Sequence, residues 1–159
     1  MAASPELHLS IQVALQATSL PVDRAQLRRW VRAALEQPAH LTLRFVDLPE
    51  GRRLNRSFRR KPDATNVLTF TYPQDPAGGP AAPPAQPAVS ADVVICLPVV
   101  RREARAQRKP LRDHLAHLVI HGVLHAQGYD HIASRDAQRM QARETELLQR
   151  FRIGDPYVR

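Results

Sequence analysis

Residues 118–131 read LVIHGVLHAQGYDH and hold three of the seven histidines in the chain. His121 and His125 are four residues apart, and His131 follows six residues later, just past Gly128. Four residues of α-helix turn through about 400° and climb about 6 Å, so two side chains at that spacing lie roughly 40° apart on one face. Both imidazoles can then reach a single cation. Glycine enters the left-handed conformation that ends helices without a Cβ penalty, so Gly128 lets the chain turn back and carry His131 to the same point. Three neutral imidazoles leave a fourth coordination position open, which separates catalytic zinc from closed structural zinc. The spacing therefore predicts a helix over about residues 111–127 that holds one zinc ion through His121, His125 and His131. Nickel and copper also suit such a donor set.

The same spacing, H-x3-H-x2-G-x2-H, occurs in the metzincin peptidases. Those enzymes carry a glutamate after the first histidine as general base, whereas this chain has Gly122 there. Peptide hydrolysis is thus a poor reading, and the metal is expected to serve another chemistry. Nearby polar residues have smaller roles to offer. His117 lies one turn before His121 and is expected to line the cleft or the core rather than bind the ion. His114 is expected at the periphery, and His8 and His40 carry no special expectation. Asp130 is a candidate acceptor for a histidine ring or a cap for the turn. Asp92 lies in an apolar run and needs a partner if buried, and Met140 is expected in the core.

The elements that must position these residues follow from periodicity. Leu7 to Leu15 alternates apolar and polar residues and predicts a half-buried strand. Asp23 can cap a helix running to about Glu36, with Leu27, Trp30, Val31, Ala34 and Leu35 inward and Arg24, Arg28, Arg29 and Arg32 in solvent. A second strand covers HLTLRFVDL, and a helix follows Pro49 with five arginines, Arg52, Arg53, Arg56, Arg59 and Arg60. Thr65 to Tyr72 and Ala91 to Leu97 predict the third and fourth strands, and their hairpin-like succession predicts an antiparallel pair. Between them a Pro/Ala-rich loop at about 73–88 cannot pack a core. Helices are expected from about Val99 to Gln107, from near Pro110, and from a Ser134 cap to about Phe151. The fold class is α+β: a single domain over residues 1–159, with a small mixed four-stranded sheet, about five helices and the metal site on a central helix.

Composition narrows the partners. The net charge is +8, and 21 of the 23 basic residues are arginine, with Lys61 and Lys109 the lysines. Such an excess favours a polyanion such as RNA. Aromatics are only 5% of the chain, so there is little sign of a base-stacking platform. No apolar run reaches membrane-spanning length, and no membrane partner is expected. The N-terminus lacks the pattern of a signal peptide. Cys96 is the lone cysteine, which excludes an internal disulfide framework, so a cytoplasmic, reducing location is expected. Nothing in the sequence sets an oligomeric state.

Several blocks together resemble one family. HGVLHAQGYDH (His121 to His131) closely resembles the signature H-G-x-L-H-x-x-G-Y-D-H of the YbeY family of bacterial endoribonucleases. LNRSFRRKPDATNVLTF (Leu54 to Phe70) resembles its block L-N-x-x-Y-R-G-K-D-x-P-T-N-V-L-S-F, ADVVIC (Ala91 to Cys96) its G-D-I-V-I strand, and the closing DPY its C-terminal end. With Glu103 to Leu111 the likeness covers about Leu41 onwards, except the Pro-rich loop. It implies a zinc-dependent, single-strand-specific endoribonuclease of 16S rRNA 3′-end maturation and ribosome quality control, with the rRNA precursor and the ribosomal subunit as partners. The family's metal histidines match His121, His125 and His131, and its functional arginine matches Arg59, the candidate catalytic residue. Arg60 replaces the usual Gly, Pro62 the Asp, Ala64 the Pro, Phe58 the Tyr and Ala91 the Gly. A ribosome-assembly factor that binds RNA with a structural zinc, or another metal-dependent hydrolase, stays open as an alternative.

Overall fold

Alternating apolar residues become strands. In a computed structural model that describes residues 4–16, 18–61, 63–73 and 88–158, β1 spans Leu7–Ala14, β2 Ala39–Val46, β3 Val67–Thr71 and β4 Val89–Cys96. They form one sheet in the order β1-β2-β4-β3. β1, β2 and β4 are parallel, and β3 runs antiparallel to β4, as the succession of those strands predicts. The register aligns Leu9, Leu41 and Ala91, then Ile11, Leu43 and Val93, so one face is apolar across the three parallel strands. Residues 74–87, nearly all of the expected Pro/Ala-rich loop, lie outside the described residues.

Five helices complete this α+β domain: α1 Arg24–Ala34, α2 Leu48–Arg59, α3 Leu97–Ala106, α4 Leu111–Ala126 and α5 Ser134–Gln149. α1 lays Leu27, Trp30, Val31 and Ala34 into the main core. α4 packs against α1, α3, α5, β3 and β4. Contact on so many sides explains its composition, because a helix enclosed by neighbours is apolar nearly all round. Among its buried residues are Leu115, Val119, Ile120, Val123 and Leu124. The opposite sheet face carries a smaller core of Val46, Leu68, Val94, Cys96 and Val99, with Leu54 and Phe70 packed on it. No helix among the described residues is long and apolar enough to cross a membrane.

Local differences from the expected boundaries have local causes. The Asp23 side chain accepts from the Gln26 amide at 2.8 Å and caps α1 as expected. β3 begins at Val67 rather than Thr65, because the Asn66 side chain takes the Val67 amide at 2.6 Å and donates to Glu103 at 3.0 Å. α3 starts at Leu97, with Pro98 in its first turn, where the missing donor costs nothing. Ser134 is the first residue of α5 and not its cap; Ala133 holds that position and makes no side-chain bond.

Candidate metal centre

His117, His121 and His125 recur at every fourth residue of α4. The helix then ends where glycine permits. Gly128 has φ +105, its amide donates to the His125 carbonyl at 3.1 Å, and the Tyr129 amide donates to the Leu124 carbonyl at 3.2 Å. That pair of bonds is the Schellman motif. It swings the chain through Asp130 so that His131 returns to the histidines of the helix. Ring centres lie 6.3 Å apart for His121 and His125, 5.5 Å for His121 and His131, and 5.7 Å for His125 and His131. Three imidazoles on one tetrahedral zinc, with bonds of about 2.0–2.1 Å, place their ring centres about 5 Å apart. The observed triangle is slightly wider than that.

The rings on α4 are oriented by what lies behind them. His125 Nδ1 donates to the Tyr129 carbonyl at 2.9 Å, and His121 Nδ1 faces Glu144 Oε1 at 2.5 Å. An acceptor on Nδ1 holds the proton there and leaves the Nε2 lone pair for a metal. Glu144 comes from α5 and is fully buried. Its other oxygen accepts from the Tyr157 hydroxyl and lies 3.6 Å from His117 Nε2. Burial pushes the Glu144 carboxyl up, but hydrogen bonds and charge from His117 and His121 outweigh it and hold it at about 2. Burial and the Glu144 carboxylate push the Tyr157 hydroxyl far above its usual range. His117 Nε2 reaches the Tyr157 oxygen at 3.1 Å, and its Nδ1 is buried without a partner among the described residues.

His117, His121 and Glu144 each bring a ligand atom within 4.8 Å of the others, so this group could hold a metal ion. Two donor sets therefore share His121. Two light-atom ligands on one zinc lie about 3.3 Å apart, wider than the 2.5 Å between His121 Nδ1 and Glu144. That contact is a hydrogen bond. Using Glu144 as a ligand would break it and take His121 through the opposite nitrogen.

The remaining candidates fall in distinct places. Arg59, in the last turn of α2, is exposed and makes no ion pair among the described residues. It lines a cleft of about 580 Å³ together with His121, His125, His131 and the β3 edge. Asp130 caps the turn: its Oδ1 accepts the amides of His131 at 2.7 Å and Ile132 at 3.2 Å. Met140 is core. His114 is not peripheral, because its Nε2 bonds Glu103 at 3.0 Å in the interior. Burial pushes the Glu103 carboxyl up, but bonds from His114 and Asn66 bring it below its usual value. His8 and His40 stack at 4.5 Å on the sheet face away from α4, and on the same face Asp92 accepts from the Tyr72 hydroxyl at 2.5 Å.

Glu144 and Tyr157 were not singled out from the sequence. Glu144 had a signal, since it falls in line with Met140, Leu147 and Leu148 on the buried stripe of α5. An acid on such a stripe requires a partner. Gly122 also gains a reason. A Cβ there would lie 2.6 Å from Val93 Cγ1, so the glycine lets α4 approach β4. A side chain at this position points into the sheet.

Comparison with known proteins agrees with this architecture. The profile of the family described as Endoribonuclease YbeY matches residues 12–152. A protein of Thiobacillus denitrificans named Endoribonuclease YbeY is 53% identical over 154 residues, covering 97% of this chain and 98% of its own. A relative of the same name from Methylibium petroleiphilum is 48% identical over 156 residues, covering 98% and 97%. The solution structure of a Thermotoga maritima protein shares the fold, with a TM-score of 0.52 and 21% identity over 95% of this chain and 99% of that one. The chain belongs to the YbeY family.

Proposed function

We propose that this member of the YbeY family is a zinc-dependent endoribonuclease, a single catalytic domain that cuts single-stranded RNA. The work we assign it is 16S rRNA 3′-end maturation and ribosome quality control in the cytoplasm, with the rRNA precursor and the ribosomal subunit as partners. The observation that carries this reading is the meeting of three imidazoles, from His121, His125 and His131, with the guanidinium of Arg59, which has no ion-pair partner among the described residues, in one open cleft. The names of the relatives supply RNA as the substrate. The net charge of +8 suits a polyanion.

In this reading His121, His125 and His131 would hold the ion, His121 and His125 through the nitrogens that their hydrogen-bond partners leave free. A zinc ion bound there supplies Lewis acidity toward a phosphoryl oxygen and lowers the pKa of water. Glu144 and the Tyr129 carbonyl keep His121 and His125 in the tautomer that binds. Arg59 meets the phosphate and stabilises the charge that grows on it in the transition state. Gly122 supports a nuclease over a peptidase, because that position faces Val93 and not the cleft. A glutamate there would have no room to act as a base.

The test is zinc content and cleavage of a single-stranded RNA, measured for the wild type, His125→Ala and His117→Ala, with circular dichroism to follow the fold. His125→Ala should lose both zinc and activity while staying folded, and His117→Ala should keep its zinc. The reverse pattern would move the ion to the His117, His121 and Glu144 group. Unfolding of His125→Ala would favour a structural zinc in an RNA-binding assembly factor.

A further inference from the structure

The cleft also has an apolar wall for which the chemistry at the metal has no use. Phe58 is 64% exposed and Ile132 is 86% exposed, and both line the cleft that holds the three histidines and Arg59. Single exposed apolar residues are ordinary on protein surfaces. Two on one cleft, one of them braced by a neighbouring ring, are a different matter. The Phe58 ring stands edge-on against Phe70, with centres 4.6 Å apart at 61°, and Phe70 is anchored on the smaller core. The Ile132 backbone is held by the Asp130 side chain, which accepts its amide at 3.2 Å. Phe58 sits among the exposed cations Arg52, Arg53, Arg56 and Arg59 of α2.

We propose that Phe58 and Ile132 take up one unpaired nucleobase of the RNA, beside the phosphate that Arg59 binds. The inference rests on the endoribonuclease reading and adds to it a subsite for the base. An aromatic ring and a guanidinium on adjacent residues match the flat base and charged phosphate of one nucleotide. Aromatic stacking is the usual way to hold single-stranded nucleic acid, and it tolerates any base because each has a π-face. A base inside a duplex already has neighbours on both faces and cannot enter such a slot. The wall thus gives the cleft a physical reason to prefer single strands, and it predicts little preference for base identity.

The experiment measures binding and cleavage of a single-stranded oligoribonucleotide by zinc-loaded protein, for the wild type, Phe58→Ala, Phe58→Leu, Phe58→Trp and Ile132→Ala. It is repeated with a series of RNAs in which each nucleotide in turn is abasic. Phe58→Ala should weaken RNA binding by roughly tenfold or more, raising KM with zinc content and kcat nearly kept. Phe58→Trp should bind as the wild type does, Phe58→Leu should bind as Phe58→Ala does, and Ile132→Ala should lose less than either. One abasic position should weaken the wild type to the level of Phe58→Ala and cost that variant nothing further. Full binding by Phe58→Leu would overturn the proposal, since apolar bulk alone would then suffice, as for a protein partner. Equal losses at every abasic position in wild type and variant would overturn it too. If the wild type cleaves RNA while these variants behave normally, only the slot fails. If the loaded wild type neither binds nor cuts RNA, the endoribonuclease reading falls with it.

Discussion

The two sides of the cleft are built in different ways. On the α4–α5 side, His121 and Tyr157 both bond Glu144, which has no exposed surface, and His125 bonds the Tyr129 carbonyl. On the α2 side, Arg59 and Phe58 stand in solvent, and Arg59 has no ion-pair partner among the described residues. Left-handed backbone occurs on both sides, at Arg60 (φ 56) just past α2 and at Arg152 (φ 60) shortly after α5. A buried polar group without a partner costs about 1–3 kcal/mol, so the interior side gains by satisfying its groups during folding, with His117 Nδ1 an exception among the described residues. The exposed side loses nothing to water by waiting. On the proposed function, one side is finished before substrate arrives, and the other is completed by it.

Mutations should separate the two sides, and the largest effects belong to the interior. His125→Ala should reduce RNA cleavage to background and abolish stoichiometric zinc by metal analysis, with little change in circular dichroism. Glu144→Ala should weaken zinc binding by about 10–100-fold and destabilise the fold by about 1–3 kcal/mol in urea titration. Glutamine in its place should recover part of both. Arg59→Glu should lower kcat/KM by on the order of a hundredfold while zinc content stays at the wild-type level. Loss of zinc in that variant would erase the division between the two sides. Gly122→Ala gains helix propensity but drives a methyl group toward Val93, so a net loss of about 1–3 kcal/mol is expected. The smallest effect is favourable. Arg60→Gly should stabilise the protein by about 1 kcal/mol, because a Cβ in the left-handed region is strained, and a rise in Tm would report it.

Legibility from the sequence followed the same line. Spacings within one element were readable, so the histidine face of α4, its Gly128 stop and the return of His131 came from fourteen consecutive residues. The mixed sheet was readable because β1 and β2 alternate, β3 is rich in β-branched and aromatic residues, and β4 is mostly apolar. Glu144 lies 23 positions beyond His121, and only the packing of α5 on α4 brings them together. Its buried stripe was visible, but its partner was not. Tyr157 could be placed only as part of the closing DPY block. Asp130 offered two roles that the sequence could not separate, and backbone geometry chose the turn. The substitution of Arg60 for the family's glycine gained meaning once its left-handed φ was seen.

The sheet register carries a consequence for folding kinetics. β1 pairs with β2 across a separation of 32 residues, since Leu7 lies opposite Ala39. β2 pairs with β4 across 50, since Ala39 lies opposite Val89. Contacts so distant in sequence slow folding, because chain entropy is lost before they form. β4 is the strand on which both β2 and β3 depend, and α4 then lies against β3 and β4. In chain order the metal helix comes after the last strand of the sheet that supports it. If the three histidines hold zinc as proposed, and bind it only once that sheet is closed, zinc should slow unfolding while leaving the refolding rate nearly unchanged.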